Sequence, residues 1–200
     1  MLGPDKVRAG DVVVALASSG LHANGFSLVR KVIEVAGWSL DRHVDEFGRT
    51  LGEELLEPTH VYSAQVLAMI ERAEGGVHAV SHVTGGGLAA NLARVLPAGL
   101  VAGVDRSSWS VPPVFDAVRT LGDVPWSDLE RTLNLGVGMI AVVDRESAGG
   151  VLAHAGELGL GAWVLGEVED VEQARGGEEL VTGTKGVHAG AVAMTGRYRS

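Results

Sequence analysis

Five short runs rich in apolar and β-branched residues punctuate the chain, at 12–17, 77–83, 100–104, 137–143 and 162–168, and segments of helical periodicity separate them. The first run, VVVALA, is bounded by Gly10-Asp11 and by Ser18-Ser19-Gly20, as expected of a strand buried on both faces. Phe26, Val29, Val32, Ile33 and Ala36 then define a helix, with Asn24 as its N-cap and Gly37 as the glycine that ends it. A polar stretch over 39–50 reads as a loop. Pro58-Thr59 opens a second helix whose core face holds Val61, Val66, Met69 and Ile70, and Gly75-Gly76 stop it. Further helices are predicted over 87–95, over 114–121 behind Pro112-Pro113, to about 133 behind a Ser127/Glu130 capping box, and over 146–158. The order β-α-α-β-α-β-α-α-β-α-β predicts one sheet covered by helices. Two hundred residues suit a single domain, placed at 1–171. Beyond it the chain turns Gly- and charge-rich, so 172–200 is expected to be a mobile tail apart from a candidate strand over 178–181.

Charge and composition narrow the functions open to such a sheet. Sixteen Lys and Arg against 25 Asp and Glu give a net charge of −9, which repels phosphate backbones and anionic headgroups over most of the surface. Neither a nucleic acid nor a membrane is therefore expected as a partner, although a local anion pocket is compatible with that charge. With no cysteine, disulfides, thiolate catalysis and Cys-ligated metals are excluded, and a metal would need His or oxygen ligands. Aromatic residues, at 4%, are too few for a base-stacking surface. The apolar run nearest the start is too short for a signal segment or a membrane span, so a soluble, cytoplasmic protein is the expectation. Glycine supplies 29 residues, about twice the usual share of roughly 7%. A hydrophobic content of 46% rules out disorder as the reason.

Seven of those glycines sit at three junctions. SSGLHANGFS at 18–27 joins the first strand to the first helix, where free N–H groups make an anion site and where Ser hydroxyls and an imidazole suit a phosphate or a developing oxyanion. An ordinary capped turn is the alternative. HVTGGGL at 82–88 again runs strand into helix, and three successive glycines point either to close approach of a ligand or to tight packing. His78 and His82 share one side of their strand but lie roughly 13 Å apart at about 3.3 Å per residue, too far to hold one metal. RTLNLGVGM at 131–139 carries Gly136 and Gly138, which leave one strand face bare for a packed element or a cleft. His43, His60, His154 and His188 read as solvated or locally satisfied. No nucleophile elbow, HExxH helix, Walker A loop or Rossmann fingerprint occurs.

Taken in order, ALASSGLHANGFSLVRKV, LLEPTHVY, VHAVSHVTGGGLAANLARVLP and RTLNLGVGMIAVV resemble the carboxy-terminal domain of the phosphoribosylformylglycinamidine cyclo-ligase family, also called aminoimidazole ribonucleotide synthetases. The resemblance spans about 11–168. Superfamily relatives such as thiamine-monophosphate kinase, selenophosphate synthetase and the hydrogenase-maturation dehydratase tend to carry Asp where this chain has His82, which favours the purine enzyme. Leu133 and Leu135 depart from the family pattern without touching its polar positions. The resemblance implies an α+β domain with a mixed sheet and packed helices, partly ferredoxin-like. It also implies a reaction in which ATP phosphorylates the formyl oxygen of formylglycinamidine ribonucleotide, an internal nitrogen attacks that carbon, and phosphate leaves as the imidazole ring closes.

Carried onto this chain, the resemblance makes His22, Asn24 and His82 the candidate catalytic residues. Ser18, Ser19, Gly20, Thr84, Gly85, Gly86, Gly87, Asn134 and Gly136 become candidates for holding the substrate and its phosphate, and no residue is a candidate metal ligand. ATP and Mg²⁺ are implied for the full enzyme, with neither expected to be held by this chain alone. Nothing in the 200 residues resembles the family's amino-terminal domain, with its Gly-rich segment and metal-holding acidic residues. That domain is therefore the expected partner, beside a nucleotide substrate, across a cleft of which this chain supplies one side. The family dimer is expected to form mainly through the same missing part. A stand-alone phosphate- or nucleotide-binding module, or another ATP-dependent enzyme of the superfamily, is the alternative.

Overall fold

The computed structural model describes residues 1–172, 174, 179–183 and 190–199. In chain order the elements are β1 (Val12–Ala17), α1 (Phe26–Ala36), β2 (His43–Val44), β3 (Arg49–Thr50), α2 (Leu51–Leu55), α3 (Ser63–Arg72), β4 (Val77–His82) and α4 (Gly87–Ala93). There follow β5 (Leu100–Asp105), α5 (Pro113–Gly122), α6 (Trp126–Thr132), β6 (Val137–Val143), α7 (Arg145–Glu157), β7 (Ala162–Asp170), β8 (Glu179–Thr182) and β9 (Ala191–Thr195). The fold is α+β, as expected. Seven strands form one mixed sheet in the order β4-β6-β1-β7-β5-β9-β8, antiparallel throughout except for the parallel pair β5/β9.

The continuous apolar run of β1 suits an interior strand of this sheet, paired with β6 and β7 and covered on both faces. Val13 and Ala15 pack with Ile140, Val142 and the α4 residues Leu88 and Leu92, whereas Val12, Val14 and Leu16 pack with Met69 of α3 and Val151 and Ala155 of α7. A third cluster joins α1, α5 and α6 through Val29, Phe115, Leu129 and Leu133. β1 and β4 each pair antiparallel with β6, so they run in the same direction. The segments that follow them, 18–25 and 83–86, consequently leave the sheet at one end, on either side of the start of β6.

Several local expectations are corrected. Asn24 is not the N-cap of α1: Gly25 takes that place in a left-handed conformation at φ 77°, with no side-chain cap. A Cβ on Gly25 would run into Leu133, so helix packing on α6 decides which residue turns the chain. The polar stretch 39–50 is not a plain loop; it contains the β2/β3 hairpin and leads into α2, where Thr50 and Glu53 form a capping box. Pro58-Thr59 does not open a helix, since α3 begins only at Ser63, and Val61 is exposed rather than part of the core face. Ser127 and Glu130 form no capping box either: Pro125 precedes α6 without a side-chain cap, and the Glu130 carboxylate is held by Arg106 at 2.5 and 3.0 Å.

The expected tail is also corrected. β9 is buried between β5 and β8, with Val192 and Met194 in the main core, and Tyr198 packs against Trp109 and Trp126. Its few apolar residues follow a glycine-rich stretch, too weak a pattern to read as a strand in isolation. The candidate strand at 178–181 is found as β8, Glu179–Thr182, and residue 178 lies outside the described residues, as does His188.

Candidate functional site

Where β1 ends, one buried asparagine organises the turn. Asn134 donates from Nδ2 to the carbonyls of Gly20 and Leu21 at 2.9 and 3.1 Å, while its Oδ1 accepts from the Ser18 hydroxyl at 3.0 Å and from the Gly136 amide at 2.8 Å. The Ser18 amide in turn donates to the Gly136 carbonyl at 2.9 Å. Ser19 ties the turn to the next segment, donating from Oγ to the Pro58 carbonyl at 2.7 Å and accepting from the His60 amide at 3.1 Å. Ser18, Ser19, Gly20, Asn134 and Gly136 thus make one knot whose polar groups mostly serve each other.

The knot fixes His22 in an unusual state. Its backbone sits at φ 57°, a left-handed conformation that non-glycine residues rarely adopt, and the residue is 5% exposed. The Ser19 amide donates to Nε2 at 3.2 Å, so in the neutral ring the proton belongs on Nδ1, and that buried atom has no partner among the described residues. Burial first, then the neighbouring His82 and His60, lower the pKa to about 4. At neutral pH His22 is therefore an uncharged imidazole with a spare N–H.

Around it stand residues from three other segments. The irregular stretch before α3 delivers Tyr62, whose hydroxyl donates to the Ala17 carbonyl at 2.6 Å and whose burial raises its pKa. Ring centroids lie 6.1 Å apart for His22 and Tyr62, 6.3 Å for His22 and His82, 6.2 Å for Tyr62 and His82, and 4.7 Å for His60 and Tyr62. Gly138 of β6 makes this convergence possible, since a Cβ there would overlap the Tyr62 hydroxyl and lie 2.7 Å from His22 Cε1. His60, Tyr62, His82 and Met139 line an open cleft of about 500 Å³, flanked by the exposed Val61 and Leu67.

The triple glycine divides by cause. Gly87, at φ 74°, lies against the backbone of Glu130, where any side chain would overlap the carbonyl, and the Gly86 amide donates to the Arg131 carbonyl at 3.1 Å. Asn91, 2% exposed, holds the loop by donating to the carbonyls of Thr84 and Gly87 at 3.2 and 2.7 Å and accepting from the Thr84 hydroxyl at 3.2 Å. Gly85 has no such reason: it is exposed, a Cβ would touch nothing, and its φ is not positive.

Of the candidates, His22 and His82 meet across Gly138, and the Ser18, Ser19, Gly20, Asn134 and Gly136 set forms their scaffold. Thr84 to Gly87 leaves the same end of the sheet. Asn24 is half-buried, and its side chain has no partner among the described residues. Tyr62, His60 and Asn91 were not anticipated as site residues, whereas Gly138 answers the expectation of a bare strand face, since it makes room for Tyr62 and His22. Placing 58–62 on a helix hid the first two, although the LLEPTHVY segment was itself a signal. Among the described residues no three His, Asp or Glu side chains converge to hold a metal, and no helix is long and apolar enough to cross a membrane.

Residues 8–177 match the family model described as AIR synthase related protein, C-terminal domain. The chain is 55% identical over 193 residues to a Streptomyces fradiae protein provisionally named phosphoribosylformylglycinamidine cyclo-ligase, covering 96% of this chain and 99% of that one. It is 46% identical to the phosphoribosylformylglycinamidine cyclo-ligase of Brevibacillus brevis, over 86% of this chain but 50% of the relative, and 42% identical to that of Pseudothermotoga lettingae, over 84% and 49%. The chain thus spans about half the length of these two relatives. Similar solved structures include a thiamine-monophosphate kinase from Stenotrophomonas maltophilia (TM-score 0.55, 18% identity, 84% of this chain and 50% of that one). The hydrogenase maturation protein HypE in complex with ATP is another (TM-score 0.55, 17% identity, 96% and 50%); at such identities the likeness shows the fold alone. The chain belongs to the AIR synthase related family, as its C-terminal domain.

Proposed function

We propose that this chain is the carboxy-terminal half of a phosphoribosylformylglycinamidine cyclo-ligase, and that His22 donates a hydrogen bond from Nδ1 to an oxygen of the bound substrate. The observation that carries this reading is the buried, unpartnered Nδ1 of a neutral His22 on a strained backbone beside His82. Strain and an unmade hydrogen bond at one residue favour a ligand-binding role over a packing one. Ring closure on an activated formyl oxygen asks for positioned donors more than for a protein nucleophile. Because the imidazole is uncharged at neutral pH, it serves as a donor rather than as a cationic acid. In this reading Asn24 and His82 orient the same substrate, and the open space at Gly85 lets a ligand approach the backbone there.

The family's ATP and Mg²⁺ do not fit the residues present. Without a group of three converging ligands among the described residues, and with the Gly86 and Gly87 amides already paired within the chain, no step is derived through either. The amino-terminal half is the proposed place for them.

A chimera tests the reading directly: this chain replaces the matching half of the Brevibacillus brevis enzyme, and ring closure is assayed. The chimera is expected to turn over, and His22→Ala to lower kcat by about 10²–10³, the usual effect of one lost oxyanion donor. A folded chimera without turnover, or one indifferent to His22→Ala, overturns it. Gly85→Ala should leave the melting temperature unchanged while raising KM.

A further inference from the structure

Beside the triple-glycine loop lies a second cavity, of about 270 Å³ with mostly apolar walls, lined by Leu88 and Ala90 of α4, Leu133, Val181 of β8, Trp109 and Tyr198 among others. None of His22, Asn24 and His82 lines it. We propose that it binds a small planar two-ring heteroaromatic molecule carrying a ring N–H.

Size, walls and one polar group carry the assignment. Interiors are close-packed, and an apolar cavity of about 150 Å³ already admits one benzene ring, so this volume suits two fused rings. Two of its walls are aromatic: Trp109 and Tyr198 meet edge to face with centroids 5.3 Å apart, and planar π systems pack favourably on such surfaces. The Trp109 indole N–H is already given to the Leu135 carbonyl at 2.9 Å, so that ring offers its apolar body only. Glu130 supplies the polar group. Glu130 lines the cavity, and its side chain is 14% exposed, gripped by Arg106 through two bonds and hydrogen-bonded to the Tyr198 hydroxyl. A carboxylate accepts about four hydrogen bonds, so beside Arg106 and Tyr198 this one keeps capacity for a single ring N–H, which favours a heteroaromatic over a hydrocarbon of the same shape. Gly86 and Asn134 also border the cavity, so an occupant touches both loops of the candidate site.

Calorimetric titration of the purified chain tests this without any activity assay, and so stands apart from the cyclo-ligase reading. Benzimidazole should bind saturably with a Kd below about 1 mM and about tenfold more tightly than indene, the same shape without ring nitrogen. Ala90→Phe and Val181→Phe fill the cavity from α4 and from β8, and each should weaken benzimidazole at least about tenfold while keeping a cooperative melt. Absence of saturable binding below about 1 mM, or affinity unchanged in both variants, overturns the proposal. Equal affinity for indene removes Glu130 from the site and overturns the heteroaromatic assignment.

Discussion

His22 bears two local penalties, each of about 1–3 kcal/mol: a left-handed backbone and a buried N–H without a partner. Asparagine tolerates that backbone better, so His22→Asn should raise stability by about 1 kcal/mol at neutral pH in urea denaturation, even as it removes the proposed donor. The pH dependence separates the two penalties. With a folded pKa of about 4 against 6.5 unfolded, the unfolded chain binds the extra proton, so stability is full above pH 6.5 and declines as pH falls towards 4. Melts across that window should slope in the wild type and flatten in His22→Asn; parallel slopes would show that the ring is not held neutral. The identity of this residue was legible in the SSGLHANG run. Its backbone was not, because Asn24 and Gly25 both suit a helix entry and only contact with Leu133, just past the end of α6, selects the glycine.

At the scale of elements, β6 and the stretch before α3 are built around one missing methyl. Alanine within a strand ordinarily gains roughly 0.5–1 kcal/mol over glycine. At Gly138 the sign should reverse, to a loss of about 1–3 kcal/mol, because the new Cβ overlaps the Tyr62 hydroxyl and crowds His22. Tyr62→Phe removes that hydroxyl, so Gly138→Ala should be better tolerated in the Phe background, and a double-mutant cycle by urea denaturation measures the coupling. Additive effects would dissociate Gly138 from the ring cluster. The strands that lie deepest were legible because a run such as VVVALA has few alternatives to a doubly covered strand. The stretch 58–62 was not, because its non-helical path is fixed by Ser19 and Ala17, some 40 residues away in sequence. A helix signal read locally contains no trace of that.

Across the whole molecule, strand order separates what local pattern can specify from what it cannot. Alternating elements imply a sheet, yet nothing in the sequence of β4 or β1 says that β6 will lie between them, and that insertion is what brings His82 to His22. β9 belongs to the same class of non-local facts. It pairs with β5 in register from Val101 with Ala191 to Asp105 with Thr195, and it fills the main core with Val192 and Met194, 0% and 2% exposed. Burying two such side chains contributes about 3–6 kcal/mol, against a total of about 5–15 kcal/mol for a domain. Removing β9 would also bare the edge of β5, a strand otherwise paired on both sides. A chain ending at residue 189 should therefore lose its cooperative melt or aggregate, whereas a chain ending at residue 199 should melt as the full chain does. Circular dichroism on heating decides between them, and an unaltered transition for the shorter chain would mean that β9 is an addition to the domain rather than part of it.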